Sequence, residues 1–100
     1  MKYLRLSEIA QHYGIGSSDL EVLAREELIV IKRTLDEEPV VSHEDVDKAR
    51  LALLLMRELD VNLAGAEVIV HMRAEMVAMQ RQFGKILETL IEEIRRAAKS

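Results

Sequence analysis

The chain contains no cysteine and no tryptophan. A disulfide framework and a thiolate metal site are therefore both excluded. Aromatic residues make up only 3% of the sequence, so any core has to be built from Leu, Ile, Val, Ala and Met. There is one proline, and the longest apolar runs, Leu51 to Met56 and Leu28 to Ile31, are far too short to span a membrane. The N-terminus has no basic segment followed by an apolar run, so no secretory leader is expected and the cytoplasm is the expected compartment. No repeats and no low-complexity tracts occur.

What is present is a balance of 49% hydrophobic and 32% charged residues over 100 positions. That is the composition of one globular domain carrying a long helix, and not of a disordered chain. A chain of this length buries a modest core alone, and self-association would supply more burial. The formal net charge is −4 and the pI near 5.4. Nucleic-acid-binding domains of this size more often carry a basic excess, because phosphate neutralisation supplies much of their affinity.

Local signals give an order of elements. Ser7 is placed to cap a helix over about Glu8 to Tyr13, with Ile9 and Ala10 facing inward. Gly14-Ile15-Gly16 reads as a tight turn, with Gly14 where a helix end favours positive φ. Ser18-Asp19-Leu20-Glu21 has the spacing of a capping box for a second helix to about Glu26, with Leu20, Leu23 and Ala24 as its apolar stripe. Leu28 to Ile31 is rich in β-branched residues and is expected to be a strand. Thr34 to Pro39 reads as a loop and Val40-Val41 as a short return strand, making a hairpin wing. Ser42 caps a third helix over about His43 to Leu59, with Glu44 and Asp45 favoured in its first turn. Asp60-Val61 breaks it, Asn62 caps the next start, and Leu63 to about Ala98 reads as one long helix.

The long helix carries a heptad seam: Ile69, Met72, Met76, Met79, Phe83, Ile86 and Leu90 step by three and four in alternation. Leu87, Ile91 and Ile94 widen it, and Glu93 falls where an apolar residue would continue it. The expected role is dimerisation with a second copy, parallel or antiparallel, and the methionines suit an adaptable interface. The alternative is that the helix folds back on the first three. Arg95, Arg96 and Lys99 complement the dipole at its end. The expected division is residues 1–61 as a winged helix-turn-helix and 62–100 as the dimerisation helix.

No catalytic constellation is legible, and no enzymatic activity, cofactor or metal is expected. His12, His43 and His71 lie in different elements. Glu67 and Glu75 flank His71 at one helical turn, a spacing common on any charged helix. Gly14-Ile15-Gly16 has no third glycine or lysine at phosphate-binding spacing. The Ser17-Ser18 pair fits capping better than nucleophilic catalysis.

The order helix, turn, helix, hairpin, helix, long helix resembles the DNA-binding domain of MerR-type regulators. The residues carrying this are Leu6-Ser7-Glu8-Ile9-Ala10, Gly14-Ile15, Leu20, Arg25-Glu26-Glu27-Leu28-Ile29, Val41-Ser42-His43-Glu44-Asp45-Val46 and Asp60-Val61-Asn62-Leu63-Ala64-Gly65. The resemblance implies a mainly α fold, a winged helix-turn-helix with a small β-hairpin wing and a coiled-coil-like C-terminal helix.

The departures from that family are informative. Its second helix typically reads Arg-Thr-Leu-Arg-Tyr-Tyr-Glu. Aligned on Leu20, Ser18 and Glu21 stand at the arginine positions and Val22 and Leu23 at the tyrosines. Residues 1 to 41 hold five Lys or Arg against eight Asp or Glu, a local charge of −3. Carboxylates facing phosphates repel them, each on the order of 1 kcal/mol near a surface, which would largely remove non-specific DNA affinity.

In length, acidic balance and lack of an effector domain, the chain resembles the CbpM-type chaperone-modulator family, as does the stretch from Arg57-Glu58-Leu59-Asp60-Val61 to Gly65. That family binds and inhibits the J-domain of a CbpA-type co-chaperone. The resemblance implies a J-domain partner, whose basic docking face an acidic surface would complement. On charge and expected exposure, the partner-binding residues are Asp19, Glu21, Glu26, Glu27, Asp36, Glu37 and Glu38. Under the alternative, a MerR-type transcriptional regulator, the DNA-binding residues would be Arg5, Ser17, Ser18, Arg25, Lys32 and Arg33.

Overall fold

The computed structural model describes residues 2–99. In chain order the elements are β1 (Tyr3–Arg5), α1 (Leu6–Tyr13), α2 (Ser17–Arg25), β2 (Ile31–Arg33), β3 (Pro39–Ser42), α3 (His43–Glu58) and α4 (Leu63–Lys99). The protein is mainly helical, a winged helix-turn-helix with a three-stranded antiparallel sheet and a long C-terminal helix. Residues up to Val70 form one compact unit and those from His71 onward a second.

In the first unit the sheet order is β1-β3-β2, so β3 is central. Leu4, Val41 and Ile31 stand in register across it, and this row packs on the core. The next row, Arg5, Val40 and Lys32, faces the other way. The core is aliphatic, as the composition requires. Ile9, Leu20, Leu23, Ile29, Val41 and Val46 are the largest fully buried side chains, each contributing roughly 1.5–3 kcal/mol by leaving water. Ala49 and Ala52 of α3 and Ala66 of α4 are fully buried beside them.

The start of α1 differs from expectation. β1 runs straight into the helix, so Leu6 is already helical and Arg5 holds the N-cap. Glu8 Oε1 accepts the Arg5 amide at 3.1 Å, and that hydrogen bond holds the Glu8 carboxyl below the usual carboxylate range. Ser7 therefore lies inside the helix and is not its cap. Leu6 and Ile9 face the core, while Ala10 is exposed, contrary to expectation. Gly14 closes the helix at φ +67°, and its amide donates to the Ala10 carbonyl at 3.0 Å.

The expected capping box at Ser18 and Glu21 is absent. Gly16 is extended and takes the N-cap with no side-chain bond. That places Ser17 and Ser18 in the first turn and frees Glu21 for solvent. At its other end α2 closes with two looping bonds, Glu27 N to Ala24 O at 3.0 Å and Leu28 N to Leu23 O at 3.0 Å. This is the Schellman pattern, which needs a left-handed residue and favours glycine there. Glu27 occupies that position at φ +62°.

The strand expected over Leu28 to Ile31 begins only at Ile31. The Leu28 amide is spent on closing α2, and the Val30 amide donates to Asp45 Oδ2 at 2.8 Å. Neither is free to pair with β3. In the wing loop, Glu37 N donates to Thr34 O at 2.9 Å and Thr34 N to Glu38 O at 3.0 Å. Glu37 is the left-handed residue of that turn, at φ +63°.

Ser42 caps α3 by accepting the Asp45 amide at 3.2 Å, as expected. Asn62 Oδ1 likewise accepts the Gly65 amide at 2.8 Å. A Cβ on Gly65 would lie 3.0 Å from Val61 Cγ1 and 3.2 Å from Asn62 Oδ1. Gly65→Ala should therefore lower the melting temperature by displacing a cap bond of about 1 kcal/mol. An alanine variant melting higher than wild type would show that helix propensity outweighs the cap.

Within the second unit no described residue is buried. The seam side chains stand open, including Met79 at 67% and Phe83 at 62% exposure. Arg96 and Lys99 sit in the last turn, and Arg96 Nη1 lies 3.5 Å from Glu93 Oε1. Among the described residues, no helix is long and apolar enough to cross a membrane.

Candidate interaction surface

The acidic residues of the first unit fall into two classes. Asp19 is half-buried and ion-paired to Arg57 of α3, which fixes α2 against α3. Glu38 lies 3.8 Å from Arg5 Nη1, and Arg5 also holds Glu8 at 3.2 Å. Asp45 is taken by the Val30 amide and by Lys48 at 3.7 Å. Glu21, Glu26, Glu27, Asp36 and Glu37 are all exposed. Among the described residues none of these five forms an ion pair within 4.0 Å.

The cations show the reverse pattern. Arg5 bridges α1 to the wing. Lys32 Nζ hydrogen-bonds Tyr3 Oη at 3.2 Å and lies 5.4 Å from the centre of that ring, where cation and ring quadrupole attract. Arg33 Nη1 donates to the Glu37 carbonyl at 2.9 Å, bracing the wing loop from within. Three of the four cations set out for the DNA alternative are thus engaged by their own chain. Arg25 is exposed and has no such partner among the described residues, and Ser17 and Ser18 are exposed in the first turn of α2.

The seven acidic positions therefore do not act as a uniform set. Asp19 and Glu38 each have a cationic partner, in Arg57 and Arg5, while Glu21, the pair Glu26-Glu27 and the pair Asp36-Glu37 carry open charge. Two features escaped the sequence reading. Leu35 is fully exposed at the wing tip, and Val30 is 56% exposed beside the buried Ile29. Leu35 had a visible signal, a lone large apolar residue in an acidic loop. Val30 had none, because an apolar residue in an apolar run reads as core.

No cluster of three or more His, Cys, Asp or Glu that could hold a metal is found among the described residues. Comparison with protein families gives a match over residues 4–96 to the model described as MerR HTH family regulatory protein. Neither the curated proteins nor the solved structures yield a match.

Proposed function

The chain belongs to the MerR helix-turn-helix regulatory family, and from that premise we propose that it binds protein rather than DNA, as a CbpM-type modulator that inhibits a J-domain co-chaperone. The observation that carries this reading is the split between open acids and occupied cations. Glu21, Glu26, Glu27, Asp36 and Glu37 are exposed and unpaired, while Arg5 is ion-paired and Lys32 and Arg33, still charged, each direct one donor to a neutral oxygen of their own chain. A helix that presents Glu21 toward a phosphate backbone pays in repulsion and releases no counterion. The same helix presented to a basic protein face gains in orientation and association rate.

In this reading the protein is a non-enzymatic homodimer of the cytoplasm. Residues 1–61 hold the partner and residues 62–100 pair with a second copy through Ile69, Met72, Met76, Met79, Phe83, Ile86 and Leu90.

The test is a paired titration at about 0.1 M salt, where screening is moderate. One arm is a J-domain from the same organism, the other a mixed-sequence DNA duplex. Micromolar or tighter binding to the J-domain alone is the expected result. Binding to DNA alone would make the chain a short transcriptional regulator. Glu21→Arg should weaken the J-domain complex about tenfold, or 1.4 kcal/mol, with the loss shrinking as salt rises. An unchanged affinity at low salt would remove Glu21 from the interface.

A further inference from the structure

We infer that the partner's anchor point is the cleft where α2 meets β2, and that it takes an aliphatic side chain flanked by lysine or arginine from a basic protein segment. This inference rests on the reading above and localises it.

The cleft has a volume of about 460 Å3 and is lined by Ala24, Glu27, Ile29, Val30 and Ile31. It opens to solvent because β2 is an edge strand, so no further strand covers that side. Continuing the bonded pair Thr34–Glu38 along the register makes Lys32 and Val40 the next bonded pair. The backbone groups of Ile31 therefore point away from β3, toward the open edge.

Four of the five lining residues are aliphatic, and Val30 is held outward. Its amide is tied to Asp45 of α3 at 2.8 Å, while its side chain stands 56% exposed. The site is mostly apolar in its lining, and Glu27 is the one charged residue among those five. Glu27 lines it, Glu26 precedes it, and neither has an ion-pair partner among the described residues. The cleft also lies at the C-terminal end of the nine-residue α2, where the helix dipole favours a cation.

Glu27 adds a separate point. It holds a left-handed backbone position, at φ +62°, where glycine would be less strained. Its carboxylate makes no hydrogen bond or ion pair within the described chain that would offset this. The fold does not require that side chain, whereas a cation on a docked segment would use it.

The experiment measures J-domain affinity and melting temperature for the full chain and three variants. Val30→Lys removes the apolar lip and places a like charge toward a basic segment. It should weaken binding at least tenfold. Glu27→Gly should weaken binding severalfold while raising the melting temperature by a few degrees, which separates a lost contact from a damaged fold. Leu54→Lys alters a comparably exposed residue on α3 (54%) and should bind as wild type does.

If wild type binds and all three variants bind equally well, the cleft is not the anchor, although the J-domain reading stands. The cleft is also overturned if Leu54→Lys weakens binding as much as Val30→Lys, or if Glu27→Gly lowers the melting temperature. If wild type itself shows no J-domain binding, the functional reading fails and the anchor with it.

Discussion

Leu20→Ala is expected to cost about 2–5 kcal/mol of folding stability, a large effect for one side chain of the first unit. Leu20 is fully buried in α2 and belongs to the core formed with Ile9, Leu23, Val41 and Val46. Removing three carbon atoms there loses their transfer energy and leaves a void that the neighbouring helix ends cannot fill without moving. Against the roughly 5–15 kcal/mol typical of a small domain, that is a large fraction. The melting temperature should fall by roughly 10–30 °C, with chain concentration held fixed because any self-association would also shift it. Leu35→Ala provides the contrast. It removes the same atoms from the fully exposed wing tip and should change stability by no more than about 0.5 kcal/mol. Equal melting of the two variants would mean that α2 does not pack as described.

If the chain pairs with a second copy as proposed, Met79→Glu should convert that dimer into monomers. Met79 lies between Met76 and Phe83 in the seam, and all three are more than half exposed in the single chain. If a second copy covers them, a carboxylate at this position must be desolvated against methionine and phenylalanine, at a cost of several kcal/mol. Across a two-fold interface the penalty is incurred twice. Sedimentation velocity reads the outcome directly. A variant that sediments like wild type would show that the copies do not meet through this seam. The helical content of the monomeric variant should also fall, because an isolated helix has little tertiary support.

Much of this fold was legible because its signals are local. Gly14, Ser42 and Asn62 each sit at a helix end, and each performs the backbone task that its type implies. The length of α4 was legible for a similar reason, since an unbroken stretch of helix-formers from Leu63 onward needs no knowledge of the rest of the chain. The failures are non-local. β1 is three residues long and exists because β3 passes beside it, which no pattern within Tyr3 to Arg5 announces. Ser7 and Ser18 look like caps, yet β1 and the extended Gly16 begin each helix two residues early. Val30 looks like a strand residue until Asp45, fifteen positions later, takes its amide.

The acidic surface was legible only as a sum. Counting charges gave its sign, but only packing distinguishes Asp19, satisfied by Arg57, from Glu21, which is not. The same holds for the cations. Lys32 and Arg33 look like a phosphate-binding pair until Tyr3 and the Glu37 carbonyl occupy them.

The absence of any buried residue between His71 and Lys99 bears on how long the protein lasts in a cell. A segment with few tertiary contacts opens at little free-energy cost, and proteases cleave what opens. Arg73, Arg81, Lys85, Arg95 and Arg96 all lie on this stretch, exposed to any protease that cuts after basic residues. Clipping there would spare the core while destroying the seam. Turnover would then follow how fully the seam is covered rather than how stable the core is. If a second copy covers the seam as proposed, unpaired chains would be trimmed first, and the abundance of the intact chain would depend on its own assembly.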